Sequence, residues 1–395
     1  MNSPKGYPVA RATDAASEAS TGILLARGSS RSPFSFPINP ALNVGVNPTT
    51  GLPNGQQEIE VYGASNHTAQ PILYNFSSQI QYELPYQMVA TIGYQGSVGH
   101  HFIRLVDQNF LYPTCSAPAA DGSCPPTAIL SPFNNAYIPT TDVYTNYNGL
   151  NLILSKRMTH GYSLNASYTY SKSLDQASNE GPGSLSNQTD PAHPITEYGP
   201  SDFDNRHRVT VSGNWDLPKY HNANGLVGSV IGAWQINGIF QYHTGFPWTP
   251  VTGVPTVAVV QSAATIAPTR PTAYFGGAQN SCSNGAYING TNFPGGGKKF
   301  FQIGTPGAPG IGRNSWNGPC YLDTDLSAAR VQAFNVLGHE TSVRFQANFY
   351  NAFNKTNLAP IQFGTQNATI ENSLFGLSPA ADAGRVIDFF LRVDF

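Results

Sequence analysis

Tyr162-Ser163-Leu164-Asn165-Ala166-Ser167-Tyr168-Thr169-Tyr170-Ser171 sorts into two chemically distinct rows. One row is Tyr162, Leu164, Ala166, Tyr168 and Tyr170; the other is Ser163, Asn165, Ser167, Thr169 and Ser171. A backbone that turns its side chains to opposite sides at every residue produces that sorting, whereas a 3.6-residue helical period would mix the rows. The pattern recurs at Ile387, Phe389, Leu391, Val393 and Phe395, set against Asp388, Arg392 and Asp394. It recurs again between Thr341 and Phe353, where Val343, Phe345, Ala347, Phe349 and Phe353 alternate with Ser342, Arg344, Gln346 and Asn348. The same template places six further strands at 72–84, 87–96, 144–157, 206–217, 230–245 and 320–333, nine in all. Most exceed the usual strand length of about 5–6 residues. They reach the roughly 9–11 residues that a tilted strand needs to cross a bilayer.

The connections alternate in length. Leu84-Pro85-Tyr86, Met158-Thr159-His160-Gly161, Pro218–Ser229 and Asn335-Val336-Leu337-Gly338 are the shorter joins. Between them lie long segments at 97–143, 174–205, 246–319 and 354–384, rich in Gly, Pro, Ser and Asn. Long structureless loops are uncommon in compact domains. Short periplasmic turns alternating with long extracellular loops are how outer-membrane barrels are built. No tandem repeat of fixed period argues for a solenoid or propeller.

Composition narrows the field. Of 395 residues only 11% are charged, against roughly 25% in an ordinary soluble chain, while aromatics reach 12%. A net charge of −2 without a Lys/Arg run leaves no footprint for nucleic acid. No apolar run is long enough for a membrane-spanning helix, and Met1 to Ser20 lacks the apolar region of a secretory signal. The polar rows hold mainly Ser, Thr, Asn and Gln, as a water-filled lumen would. Aromatics gather near strand ends: Tyr82, Tyr86, Tyr162, Trp215 and Phe334 toward the short turns, Tyr94, Tyr147, Tyr170, Phe246, Trp248 and Tyr321 toward the long loops. Such belts suit the headgroup region. A soluble sandwich also alternates apolar and polar residues, so a secreted or cell-surface β-rich binding protein, such as an adhesin, stays open as the second reading. The favoured fold is all-β: an antiparallel transmembrane β-barrel segment of about nine long strands in the outer membrane.

Several motifs resemble the Oar-like TonB-dependent receptors. They are Ile80 to Pro85 with Ile92 to Ser97, Asn146 to Leu150 continuing through Lys156-Arg157 to Ser173, Asp202 to Arg208, Gly245-Phe246-Pro247, and Asn348 to Asn354. They run in the family's order across about 70–395. The resemblance implies the C-terminal part of a 22-stranded barrel whose plug and remaining strands lie elsewhere, with TonB reached through them and an unidentified ligand met by the loops. No plug or TonB box is recognisable here, so transport by this chain alone is not expected. Residues 1–70 read as an extracellular-loop-like segment and 71–395 as the partial barrel. Nine strands would leave two edges unpaired, which makes a truncated product or incomplete gene model the expectation.

Phe389, Leu391, Val393 and Phe395 resemble the C-terminal signal read by the barrel assembly machinery. Cys115 with Cys124, and Cys282 with Cys320, fall within single long loops, where disulfides would pin costly connections; these pairings are favoured over free thiols. Asp202 and Asp204 read as structural groups where a loop enters a strand, and Arg206 and Arg208 as residues that line the lumen there. His100-His101 sits better at a rim than on a metal, and Gly295-Gly296-Gly297-Lys298-Lys299 lacks the spacing of a phosphate loop. No catalytic set, cofactor or metal is expected.

Overall fold

The computed structural model describes residues 46–47, 52–53, 59–63, 65, 68–107, 133–178, 194–217, 234–252, 270–271, 273–275, 293, 296–302, 310–336, 339–362 and 365–394. Nine long strands dominate: β1 Ile72–Leu84, β2 Met88–Asp107, β3 Phe133–Thr159, β4 Tyr162–Asp175, β5 His207–Asp216, β6 Trp234–His243, β7 Tyr321–Val336, β8 His339–Tyr350 and β9 Val386–Asp394. Each pairs antiparallel with its neighbours in sequence, so the sheet is a meander from β1 to β9. The tightest joins use left-handed backbone: Tyr86 and Gln87 between β1 and β2, His160 and Gly161 between β3 and β4. Two shorter pieces attach, Ile59–Tyr62 parallel to the start of β3 and Gly199–Pro200 beside the end of β4.

Register keeps the two rows of each strand on two faces across the whole sheet. On one face Tyr82, Ala90, Leu154, Ala166, Val211 and Phe240 lie side by side on six successive strands. Ala328, Ala347 and Phe389 continue that face over β7, β8 and β9. On the other face Ser163, Asn214, Asn237, Ser327, Asn348 and Asp388 form an unbroken polar row from β4 to β9. A one-residue slip at any strand would move its entire apolar row to the polar side.

Among the described residues no second layer covers the apolar face. Ile80 (69% exposed), Phe389 (66%) and Leu391 (71%) stand open, with Ile92, Leu152 and Phe345 among their exposed neighbours. A sandwich would bury these side chains between its sheets. An uncovered apolar wall backed by an amide- and hydroxyl-rich wall is instead the arrangement of a barrel in lipid.

The strands depart from the sequence reading at the long-loop end. β2 and β3 continue well past 96 and begin well before 144, forming a hairpin that extends beyond the sheet. Bulges flank Phe102, where His101 has φ 63°, and break the alternation that the sequence reading relies on. The aromatic belt also needs correction. Tyr147 and Tyr321 belong to the polar face, opposite Ser97 and Ser173 and opposite His243 respectively, and Trp248 is buried among the loops. Tyr82, Tyr86, Tyr94, Tyr162, Tyr170 and Trp215 are exposed, as a belt requires.

The face assignment predicts an asymmetry. Phe345→Arg, on the apolar row at the middle of β8, should cost about 2–4 kcal/mol, and Phe349→Arg, next to the long-loop end of the same row, about 0–1 kcal/mol. Asn348→Arg, on the polar row, should cost much less than Phe345→Arg. Urea titration of the chain folded into vesicles reads the difference, and equal losses at both faces would contradict the assignment.

Candidate functional site: a polar wall beneath folded loops

The polar face is concave over β3 to β8 and encloses a groove of about 750 Å³. Its lining includes Ser155, Asn165, Asn214, Asn237, Asp325 and Asn348. Cross-strand hydrogen bonds hold several of these groups in place: Ser155 Oγ donates to Asn165 Oδ1 at 3.2 Å and Asn214 Nδ2 to Ser163 Oγ at 3.2 Å. Gln346 Nε2 donates to Asn348 Oδ1 at 2.8 Å. Amides and hydroxyls both donate and accept, so such a surface exchanges hydrogen bonds with water or with an uncharged polar solute.

Above this wall the long loops fold into a cap. Trp248, Val251, Phe293, Phe301, Trp316, Ile361, Ala368, Ile370 and Phe375 form one buried cluster drawn from the β6–β7 and β8–β9 connections. Trp248 and Trp316 meet edge to face at 5.3 Å, and Trp316 stacks on Phe293 at 5.5 Å. Pro247–Trp248 pairs with Trp316–Asn317 as a short ribbon. A side chain at Gly245 would strike the Gly318 carbonyl oxygen, so the chain's return from β6 requires glycine there.

A buried polar network joins this cap to the β4–β5 loop. Arg313 is 2% exposed; its Nη2 pairs with the Asp175 carboxylate and donates to the Asp175 carbonyl at 2.6 Å. Its Nε donates to the Glu197 carbonyl at 2.8 Å, and Nη1 reaches Asp202 at 3.5 Å. Arg270 Nη2 donates to the Thr196 carbonyl at 2.9 Å and pairs with Glu197 at 3.2 Å. Burial pulls the Arg270 guanidinium below its ordinary pKa, with Glu197 opposing and Arg313 adding to that shift. Asn314, in left-handed backbone, bridges Thr249 and Asp202.

The sequence-marked residues distribute as follows. Asp202 accepts from Asn314 and Arg313 inside this network. Asp204 caps the end of β4, accepting from the Ser173 amide at 2.6 Å, and pairs with Arg206 at 3.2 Å. The Arg206 guanidinium lies 6.0 Å from the Tyr170 ring centroid. Arg208 stands on the polar face between Thr169 and His243. Phe389, Leu391 and Val393 lie on the exposed apolar rows of β9, and Phe395 is outside the described residues. Cys320, at the foot of the cap, is disulfide-bonded. Cys115, Cys124 and Cys282 are outside the described residues. His101 Nδ1 lies 3.3 Å from the Thr141 carbonyl oxygen, on the projecting hairpin.

That hairpin carries a two-point ion pair. Arg104 Nε and Nη2 each donate to Asp142 at 2.7 Å, with Arg104 2% exposed. Burial works to raise the Asp142 pKa, but bonding and charge from Arg104, with Thr140 assisting, outweigh it and hold the carboxyl below its ordinary value.

Sequence reasoning missed Arg270, Arg313, Glu197 and the aromatic cluster. The available signal was compositional: Trp248, Phe293, Phe301, Trp316 and Phe375 are too many large rings for solvent-facing loops.

A family model described as "Outer membrane beta barrel domain" matches residues 2–388. No curated protein matches the sequence. Among solved structures, the FrpB iron transporter from Neisseria meningitidis (F3-3 variant) is similar at 14% identity and a TM-score of 0.37, covering 86% of this chain and 33% of its own. The FpvAI–pyocin S2 complex gives 10% identity and 0.35, covering 81% and 27%. The outer membrane transporter YddB from Escherichia coli gives 10% and 0.39, covering 84% and 34%. The chain thus spans about a third of the length of these structures or less.

Two predictions follow from the loop geometry. Arg313→Met leaves the Asp175 carboxylate buried without its guanidinium, at a cost of about 3–5 kcal/mol. Proteolysis should then cut the 194–202 and 310–319 segments faster, while the strands stay resistant. For the hairpin, the depressed Asp142 carboxyl stabilises the fold above its ordinary value of 3.8, and this contribution is lost as the pH falls through the lower folded value. Under pepsin the wild-type hairpin should outlast Asp142→Asn above pH 3.8, and the difference should shrink as the pH is taken below that value.

Proposed function

The chain belongs to the outer-membrane β-barrel domain family, and from that premise we propose that it supplies the C-terminal wall and ligand-facing loops of an Oar-like TonB-dependent receptor. It sits in the outer membrane, so the secreted-adhesin reading falls away. The observation that carries the proposal is the open sheet. Within the described sheet, β1 is paired only with β2, and β9 only with β8. In hydrocarbon each unpaired peptide group costs several kcal/mol, so both edges call for further strands. A larger barrel would provide them, with residues 71–395 as its partial wall and 1–70 as an extracellular-loop-like segment. The polar groove then faces the barrel interior, and the cap of long loops forms part of the outer mouth where a ligand is first met. The plug, TonB and the barrel assembly machinery are the partners this reading implies. Phe389, Leu391, Val393 and Phe395 are the assembly signal, and Cys115–Cys124 and Cys282–Cys320 the loop disulfides.

Sequencing the gene upstream of Met1 tests the reading directly. Further alternating strands and a plug in frame are expected; a frame closed by a stop codon with no barrel sequence before it would sink it. On the protein, mass spectrometry should find no cysteine alkylated without reductant.

A further inference from the structure

Two arginines stand directly opposite each other on the polar face. Register pairs Arg344 of β8 with Arg392 of β9, and places Val331 of β7 on the other side of Arg344. Side chains paired in this way start about 4.5–5.5 Å apart, where like charges are destabilising. Among the described residues a single carboxylate answers the two cations. Arg392 Nε donates to Asp394 Oδ1 at 2.8 Å, in an exposed pair of the kind that contributes little. Arg344 Nη2 donates to the uncharged Gln346 Oε1 at 3.1 Å. Asp388, the next acid of β9 on this face, pairs with Asn348; at the rise of a strand it is about 13 Å along from Arg392. The pair therefore keeps a net positive charge.

The neighbours of the pair are apolar. Phe390 lies opposite Gln346 on the same face and is 54% exposed, and Val331 is 47% exposed. Gln346 also lines the polar groove, so this patch adjoins it. A free inorganic anion would engage the guanidinium forks and leave Phe390 and Val331 in water. A polypeptide segment with a carboxylate beside an apolar side chain would engage both. The two oxygens of a carboxylate can each take a charge-assisted bond from a planar guanidinium, and an arginine beside an aromatic ring is the composition that dominates protein interfaces.

We propose that Arg344, Arg392, Phe390 and Val331 form a docking patch for an acidic polypeptide segment. One Asp or Glu carboxylate sits between the guanidinium groups, and an apolar neighbour covers Phe390. This rests on the proposed function only in taking the polar face as an interior surface open to other polypeptide. The gene upstream of Met1 decides the receptor reading and peptide binding decides the patch, so the two can fail separately.

A phage-displayed library of random heptapeptides, panned on the detergent-solubilised chain, supplies the probe. Selected peptides should carry Asp or Glu next to Phe, Leu or another apolar residue. Changing that acid to its amide should weaken binding about tenfold, the loss of a charge-assisted contact. On the chain, Arg344→Gln and Arg392→Gln should each weaken binding by a similar factor, and Phe390→Ser should weaken it less. Arg385→Gln, exposed in the connection that precedes β9, should leave it unchanged. Fluorescence anisotropy of the labelled peptide reads every case. Inorganic phosphate at constant ionic strength should displace the peptide poorly. A library that yields no specific binder, or binders without an acidic residue, overturns the proposal. So do acidic peptides that bind the Arg344→Gln/Arg392→Gln double variant as well as the parent, and so does phosphate that saturates the pair and displaces the peptide, which marks a free-anion site. Because the acid-to-amide change is made in the peptide, misfolding of a variant does not shield the idea.

Discussion

Hydrocarbon offers the peptide backbone no hydrogen-bond partner, and the architecture follows from that deprivation. Each strand inside the wall must find its donors and acceptors on adjacent strands, which a meander achieves with the shortest joins. Once the backbone is committed to the sheet, side chains can only face lipid or interior, and they do so in rows that stay in register from β1 to β9. The same deprivation makes the free edges of β1 and β9 the costliest feature of the isolated sheet. Even the exceptions obey it. Lys156 pairs with Leu164 of the apolar row but is buried, with its ammonium bonded to carbonyls at the β3–β4 turn.

Outside the membrane the governing interaction changes. The loops around 246–252, 293–302, 310–319 and 361–376 bury a cluster of rings, as a small soluble domain would. Around it, Arg270 and Arg313 sink their guanidinium groups among carbonyls and carboxylates from the β4–β5 loop. Buried pairs of this kind contribute modestly to stability but are costly to break one partner at a time. The three long connections are therefore tied to one another, so a surface presented by one loop keeps a fixed relation to the others. Rigid presentation lowers the ordering cost of any recognition such a surface takes part in.

How far the sequence could be read depended on the range of the interactions. Tyr162 to Ser171 and Ile387 to Asp394 declared their strands because alternation is local, and one face of each had a single apolar environment. Alternation failed where the backbone left regularity: around His101 and Phe102, bulges shifted the period and hid the continuation of β2 and β3. Aromatic residues near strand ends were legible as a group but not by face. Tyr170 faces outward, while Tyr147 and Tyr321 face the polar side, a difference of one residue in register. Asp204 could be singled out as a polar group where a loop enters a strand, though its partner, the Ser173 amide, could not. Arg313 could not, since its carboxylate partner Asp175 lies 138 positions away.

The sequence by itself determined where the nine long strands would be centred and that each would carry an apolar and a polar row, because a two-residue period is imposed by backbone geometry alone. Only the tertiary structure decided that the Gly/Pro-rich loops close over a shared aromatic core. Only it decided that Arg270 and Arg313 bridge separate connections. Those arrangements depend on which distant segments come side by side, and a sheet brings together residues whose separation in the chain carries no local periodic trace.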